Sequence, residues 1–175
     1  NIDELLRSRA ALGDVPVTLL IVGDGPDRPR LEREAAALGL TAPDVVFAGM
    51  VPPEQVSDWY QLGDLFVSAS TSETQGLTYI EALAAGVPAL CRADPCLTGV
   101  VRNGENGWQY RDEADFQARL SEFLSQPHRR ERLSRSARAS AEEFSAQRFA
   151  ERAETIYVEQ IARHAVESRC QGDSA

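Results

Sequence analysis

The sequence predicts an α/β fold: a doubly wound parallel sheet flanked by helices, with a helical C-terminal end. Three observations carry the prediction. Short apolar runs alternate with stretches of helical periodicity through residues 1–111, the pattern of parallel strands joined by right-handed crossovers. The runs are continuous rather than alternating, as in Leu19, Leu20, Ile21 and Val22, which suits strands covered on both faces. From Asp112 onward only helical periodicity remains. The 175 residues suffice for one well-cored domain. It is read here as a core over 1–111 and a helical extension of the same domain over 112–175.

Taken in order, residues 1–12 read as a helix with Ile2, Leu5 and Leu6 apolar. Residues 17–23 form the first strand, and Gly23, Asp24, Gly25 and Pro26 a tight turn. The next helix carries Leu31, Ala35 and Leu38 on one face and stops at Gly39. Residues 45–51 form the second strand, after which Pro52 and Pro53 introduce a short helix with Val56, Trp59 and Tyr60. Residues 65–69 form the third strand. A polar loop over 71–75 follows, and a helix opens at Gly76. Its core face is expected to hold Leu77, Ile80 and Leu83 or Ala84, with Gly86 and Pro88 closing it. The fourth strand spans 87–91, with a proline tolerated near its start. A loop rich in glycine and asparagine leads to an edge strand at 107–110. Three amphipathic helices complete the chain. The first carries Phe116, Leu120, Phe123 and Leu124; the second opens at Pro127 and holds Leu133 and Ala137. The last presents Phe149, Ala153, Ile156, Tyr157 and Ile161 over about six turns. The tail from Arg169 is expected to fray.

Composition narrows the function. Hydrophobic residues make up 43% and charged residues 26%, ordinary for a globular protein. The net charge of −9 gives nucleic-acid binding no electrostatic support. All 18 basic residues are arginine, so any lysine needed for phosphate must come from outside this chain. Cys91, Cys96 and Cys170 are an odd set without paired spacing, which argues against a disulfide framework and suits a reducing compartment. Cys91 reads as core. His128 and His164 lie in polar helical tracts, and no cysteine or histidine cluster has zinc-ligand spacing, so no metal is expected. Neither a signal peptide nor an apolar run of membrane-spanning length is visible, and a cytoplasmic location is the expectation.

The stretch from Leu65 to Pro88 carries the functional signal. A strand, a polar loop and a helix that starts at glycine leave free backbone N–H groups and a positive dipole end, an arrangement suited to phosphate. Glu73 sits in the loop beside that start. Glu81 lies five residues past Gly76, roughly 7–8 Å along the axis. Two carboxylate acceptors flanking an anion site match a ligand with hydroxyls on both sides of a phosphate, the layout of a nucleotide sugar. Glutamates at this spacing also arise on solvated helix faces, so spacing alone does not decide.

The wording does more. Glu73, Glu81, Ala82, Gly86 and Pro88 resemble the donor-site signature of retaining glycosyltransferases of the GT-B architecture, family 4 type, in which an E-x(7)-E motif is followed by alanine, glycine and proline. The run from Ser72 through Glu73, Thr74, Gln75, Gly76, Leu77, Thr78, Tyr79, Ile80 and Glu81 to Ala82 is most similar to the subgroup that glucosylates diacylglycerol. The resemblance extends to residues 21–26, 46–51, 63–67 and 103–107. It implies a Rossmann-like sheet, the C-terminal donor-binding domain of such an enzyme. The family's donor domain begins with a strand ending in glycine and arginine, followed by a lysine, and Asn1 resembles the position just after that lysine. The resemblance therefore implies a domain lacking its first strand, its phosphate-binding arginine and lysine, and an N-terminal acceptor domain supplied in cis. It also leaves open whether the final helix crosses back toward that partner domain or packs only on its own.

The resemblance also implies roles. Glu73 would accept hydrogen bonds from donor-sugar hydroxyls and stabilise positive charge near the anomeric carbon. Thr74, Gln75 and Gly76 belong to the loop whose backbone N–H groups orient those hydroxyls. Gly76, Leu77 and Thr78 supply the helix tip for the leaving diphosphate. Glu81 would accept from the ribose hydroxyls, and Met50 and Val51 would meet the base through their backbone. No cofactor is implied; the nucleotide sugar, UDP-glucose by the subgroup wording, is a substrate. The acceptor is a lipid or a saccharide, the source is bacterial, and peripheral association with the inner face of the membrane would come through the absent half. A nucleotide-sugar epimerase and a non-catalytic nucleotide-binding module fit the same residues. A phosphorylase would need a lysine-bound cofactor, which a chain without lysine cannot hold.

Overall fold

The computed structural model describes residues 1–172, with side chains through His164. One compact unit spans Asn1–Ala141, and a second begins at Glu142. The first unit holds α1 (Ile2–Ala11), β1 (Leu19–Val22), α2 (Arg28–Ala37), β2 (Val45–Gly49), α3 (Val56–Gln61), β3 (Phe66–Ser68), α4 (Leu77–Ala84), β4 (Ala89–Arg92), β5 (Gly107–Tyr110), α5 (Glu113–Ser125) and α6 (Arg130–Ala141). The second holds α7 (Ala146–Gly172), on which Phe149, Ile156, Tyr157 and Ile161 are exposed. The tail expected to fray from Arg169 is helical through Gly172, and its remainder lies outside the described residues.

Every strand pair is parallel, and the strands fall into two sheets. In one, β1 pairs with β2, Leu19 opposite Val45 and Ile21 opposite Phe47. In the other the order is β3-β4-β5, Phe66 opposite Ala89 and Leu90 opposite Trp108. Among the described residues nothing pairs β1 with β3. In the doubly wound order 3-2-1-4-5-6 that gap is the place of the central strand.

Two apolar clusters follow from this split. Leu6 of α1 joins Leu31 and Ala35 of α2 with Leu40 and Val45 around the smaller sheet. Leu5, one residue earlier, joins Leu90, Trp108, Tyr110, Phe116, Phe123 and Leu133 around the larger. The helix α5 thus buries its apolar stripe against β4 and β5, while α6 packs chiefly against α4 and adds Leu133 to the same cluster. Asp112 caps α5, its carboxylate accepting from the Asp115 N–H at 2.9 Å, a favourable placement at the positive end of the helix. The helix α1 is also held by polar contacts: Arg9, 6% exposed, donates to Val17 O and Gly13 O and pairs with Asp44 Oδ1 at 2.6 Å. Asn106, fully buried, accepts from Arg102 N and donates to Val100 O and to Ser140 Oγ of α6.

One expectation about α4 is corrected. Leu77 does not face the core; it is 57% exposed, and the buried arc is Tyr79, Ala82 and Leu83. Both arcs fit a 3.6-residue period. The tyrosine side wins because its ring fills the space beneath β3 while its hydroxyl finds partners there. Leu77 and Glu81, four apart, consequently share the exposed face.

Candidate functional site

The strand β3 delivers the chain to a loop, residues 69–76, and Gly76 turns it into α4. Gly76 has φ +64°, the left-handed region, and stands as the N-cap. No side chain caps the helix. The N–H groups of Tyr79 and Ile80 both donate to Gly76 O, while those of Leu77 and Thr78, ahead of the first helical hydrogen bond, donate to nothing among the described residues. Beneath the tip lies Leu97, buried: a methyl group placed on Gly76 would come within 2.9 Å of its Cδ2. The inner side of the tip is therefore closed by packing, and the outer side, at Leu77 and Thr78, is open.

At the other end of α4 the last carbonyls meet a cation. Arg138 of α6 donates from Nη2 to Ala85 O at 3.3 Å, and its guanidinium packs against Gly86, which has φ +84°. A positive group there complements the negative end of the helix dipole.

The two glutamates are each held by a tyrosine. Glu73 is half-buried, and the Tyr79 hydroxyl lies 3.0 Å from its Oε1. Glu81 is exposed, and the Tyr60 hydroxyl of α3 lies 3.1 Å from its Oε2. A carboxylate only accepts, so both phenols donate. Burial first, and the neighbouring carboxylate with it, pushes both phenols above the ordinary tyrosine value, so both remain protonated donors at neutral pH. Phe66 of β3 stands between the two rings, edge to face with Tyr60 at 5.7 Å and with Tyr79 at 5.5 Å between centroids.

Two cavities border these residues. One of about 330 Å³ runs along β3 and the start of the loop, residues 66–72, and is closed on its other side by Asn1, Ile2 and Leu5 of the α1 end. The other, about 530 Å³, lies between α3 and α4 and is lined by Pro53, Tyr60, Gln61, Glu81 and Arg138 among others. Of the residues singled out in the sequence, Glu81 lines the second. Glu73, Thr74, Gln75, Gly76, Leu77, Thr78, Met50 and Val51 line neither. Met50 and Val51 follow β2; Met50 is 77% exposed. Thr74, Gln75 and Thr78 are exposed around the helix tip.

This strand, loop and open helix tip, with Glu73 before the tip and Glu81 after it in the chain, coincide with a family-wide match. The model of the family "Glycosyl transferases group 1" matches residues 1–140. The chain belongs to that family. The glycosyltransferase domain is 33% identical over 145 residues to alpha-monoglucosyldiacylglycerol synthase of Acholeplasma laidlawii, covering 83% of this chain and 36% of that protein. The enzyme of the same name from Streptococcus pneumoniae is 35% identical over 146 residues, covering 83% of this chain and 32% of that one. The chain thus spans about a third of the length of these relatives. Among solved structures, sucrose-phosphate synthase from Thermosynechococcus elongatus superposes with a TM-score of 0.79 at 25% identity, over 93% of this chain and 42% of that one. The Rossmann-like GT-B fold expected from the sequence is the fold of this glycosyltransferase domain. No helix among the described residues is long and apolar enough to cross a membrane.

Sequence reading missed the residues that hold the motif glutamates of this glycosyltransferase domain. Tyr79 offered a signal: a tyrosine amid Leu77, Ile80, Ala82 and Leu83 on a mostly buried helix needs a polar partner for its hydroxyl. Tyr60 offered none, because its partner lies on another helix.

Proposed function

We propose that this chain is the donor-binding half of a retaining hexosyltransferase that moves glucose from UDP-glucose to a lipid acceptor. The observation that carries the reading is the uncapped tip of α4, with the Leu77 and Thr78 amides open; Glu73 precedes that tip in the chain and Glu81 follows it, each held by a tyrosine hydroxyl. The diphosphate sits at the tip, where backbone dipoles fixed in advance stabilise the charge that grows as the sugar leaves. Gly76, Gln75 and Thr74 bring their backbone within reach of the sugar. Glu73 accepts from the sugar hydroxyls and stabilises positive charge at the anomeric carbon; Glu81 accepts from the ribose hydroxyls. Met50 and Val51 meet the base.

The acceptor side rests on the relatives. Those from Acholeplasma laidlawii and Streptococcus pneumoniae carry diacylglycerol in their names, and an alpha product from an α-linked donor means retained configuration. Recognition of the lipid, and any peripheral attachment at the cytoplasmic face of the membrane, belong to the acceptor half. No cofactor takes part in this reading. Titration of the chain with UDP, by calorimetry or ligand-observed NMR, tests it. Binding is expected, and Glu81→Ala is expected to weaken it at least tenfold, as loss of a charged acceptor for two hydroxyls does. Normal binding by Glu81→Ala removes Glu81 from the ribose; no binding by the unaltered chain overturns the reading.

A further inference from the structure

We infer that Tyr79 is a positioning residue, which fixes the Glu73 carboxylate for the donor sugar through an aligned chain of hydroxyl protons starting in β3. The inference rests on the proposed donor site and adds to it a part for a residue outside the two motif glutamates. Counting protons sets the alignment. The Tyr79 hydroxyl has two neighbours, Glu73 Oε1 at 3.0 Å and Ser68 Oγ at 2.9 Å, but only one proton. The carboxylate cannot donate, so the phenol proton goes to Glu73. Ser68 then donates its own proton to Tyr79 Oη. It is free to do so, because Ser68 Oγ also accepts the Ser70 backbone N–H at 3.2 Å. The order is amide, serine, tyrosine, carboxylate, and no member can reverse while Glu73 is ionised.

Rigidity supports the same role. Tyr79 is 1% exposed, its ring is braced edge to face by Phe66, and Ser68 and Phe66 both belong to β3. Glu73 itself sits in a loop with no regular structure. Its placement is therefore borrowed from the sheet through one phenol. The bond occupies one side of one carboxylate oxygen and leaves the rest of the group to accept from a ligand. Tyr60 performs the matching service for Glu81 from the other flank of Phe66, which provides an internal comparison.

The test compares two ligands that differ only by the sugar, titrated into the full chain. Tyr79→Phe keeps the ring and removes the hydroxyl. It is expected to weaken UDP-glucose about five- to tenfold while leaving UDP within about twofold. Tyr60→Phe is expected to weaken both ligands equally. Ser68→Ala, a smaller change that leaves the tyrosine in place, is expected to follow Tyr79→Phe in direction with a smaller loss, and serves if Tyr79→Phe does not fold. Equal weakening of both ligands by Tyr79→Phe means general support of the groove and overturns the inference, as does unchanged binding of both. If the unaltered chain binds neither ligand, the donor-site reading fails first, a distinct outcome.

Discussion

Gly76→Ala is the sharpest test of the helix tip. Two penalties are expected. Holding an L-residue at φ +64° costs about 1–2 kcal/mol. The added methyl would also sit 2.9 Å from Leu97 Cδ2. Leu97 is fully buried, so it cannot swing into solvent, and displacing it costs about 1–3 kcal/mol more. The sum is about 2–5 kcal/mol. Gly104→Ala supplies the control. Gly104 has φ +76° and nothing within 4 Å of an added methyl. It carries only the first penalty, about 1–2 kcal/mol, and the same change in unfolded-state entropy. Urea unfolding of both variants, with the slope unchanged, gives the difference directly. Gly76→Ala should be the less stable by about 1–3 kcal/mol and should also bind UDP more weakly, since any shift of Leu97 disturbs the tip. Equal losses for the two variants would refute the packed floor beneath the tip; a smaller loss for Gly76→Ala would refute its left-handed conformation.

Two further outcomes follow from burial. Asn106→Ala removes the buried hydrogen bonds from the Asn106 amide to Val100 O and Ser140 Oγ, and should lower the urea-unfolding stability by about 2–5 kcal/mol without altering the slope. At alkaline pH, burial pushes the Cys91 thiol up to about 12 and raises the phenols of Tyr60, Tyr79 and Tyr110. Each group keeps its proton longer folded than unfolded, so this stability is fully present below the unfolded values and is lost as pH rises through the folded ones. The thermal midpoint should hold to about pH 8.5 and decline above about pH 9, less steeply in Tyr79→Phe. A midpoint that is flat to about pH 11 contradicts the buried placement of these groups.

Much of the architecture was legible. Leu19 to Val22, Val45 to Gly49 and Leu90 with Cys91 are apolar runs too short for helices and bounded by turn residues, and each is a parallel strand. Gly76 was legible as the opening of α4 because helical periodicity begins just after it, and its left-handed φ of +64° is what the structure adds. What periodicity could not reveal was which arc of α4 is buried. Leu77, Ile80 and Leu83 fit a face as well as Tyr79, Ala82 and Leu83 do; contact with Phe66 and Ser68, set by tertiary packing, decided it. Asn106 was hidden for a related reason. In sequence it is one more polar loop residue between Gly104 and Gly107, and its three partners, from 4 to 34 positions away, are visible only once α6 packs against the loop. Arg9 likewise looks like surface charge until Val17, Gly13 and Asp44 converge on it.

The margin of β3 facing away from β4 carries Phe66, Val67 and Ser68, with no charge, proline or bulge among them. Such a margin recruits extended peptide from neighbouring molecules, and sheets normally guard it. Beside it lie the Asn1 amide, which donates to Ala69 O at 2.9 Å, and the first turn of α1 across a slot. In the doubly wound order this margin is the place of the central strand, so the backbone groups it presents are those that another strand of the same sheet would satisfy.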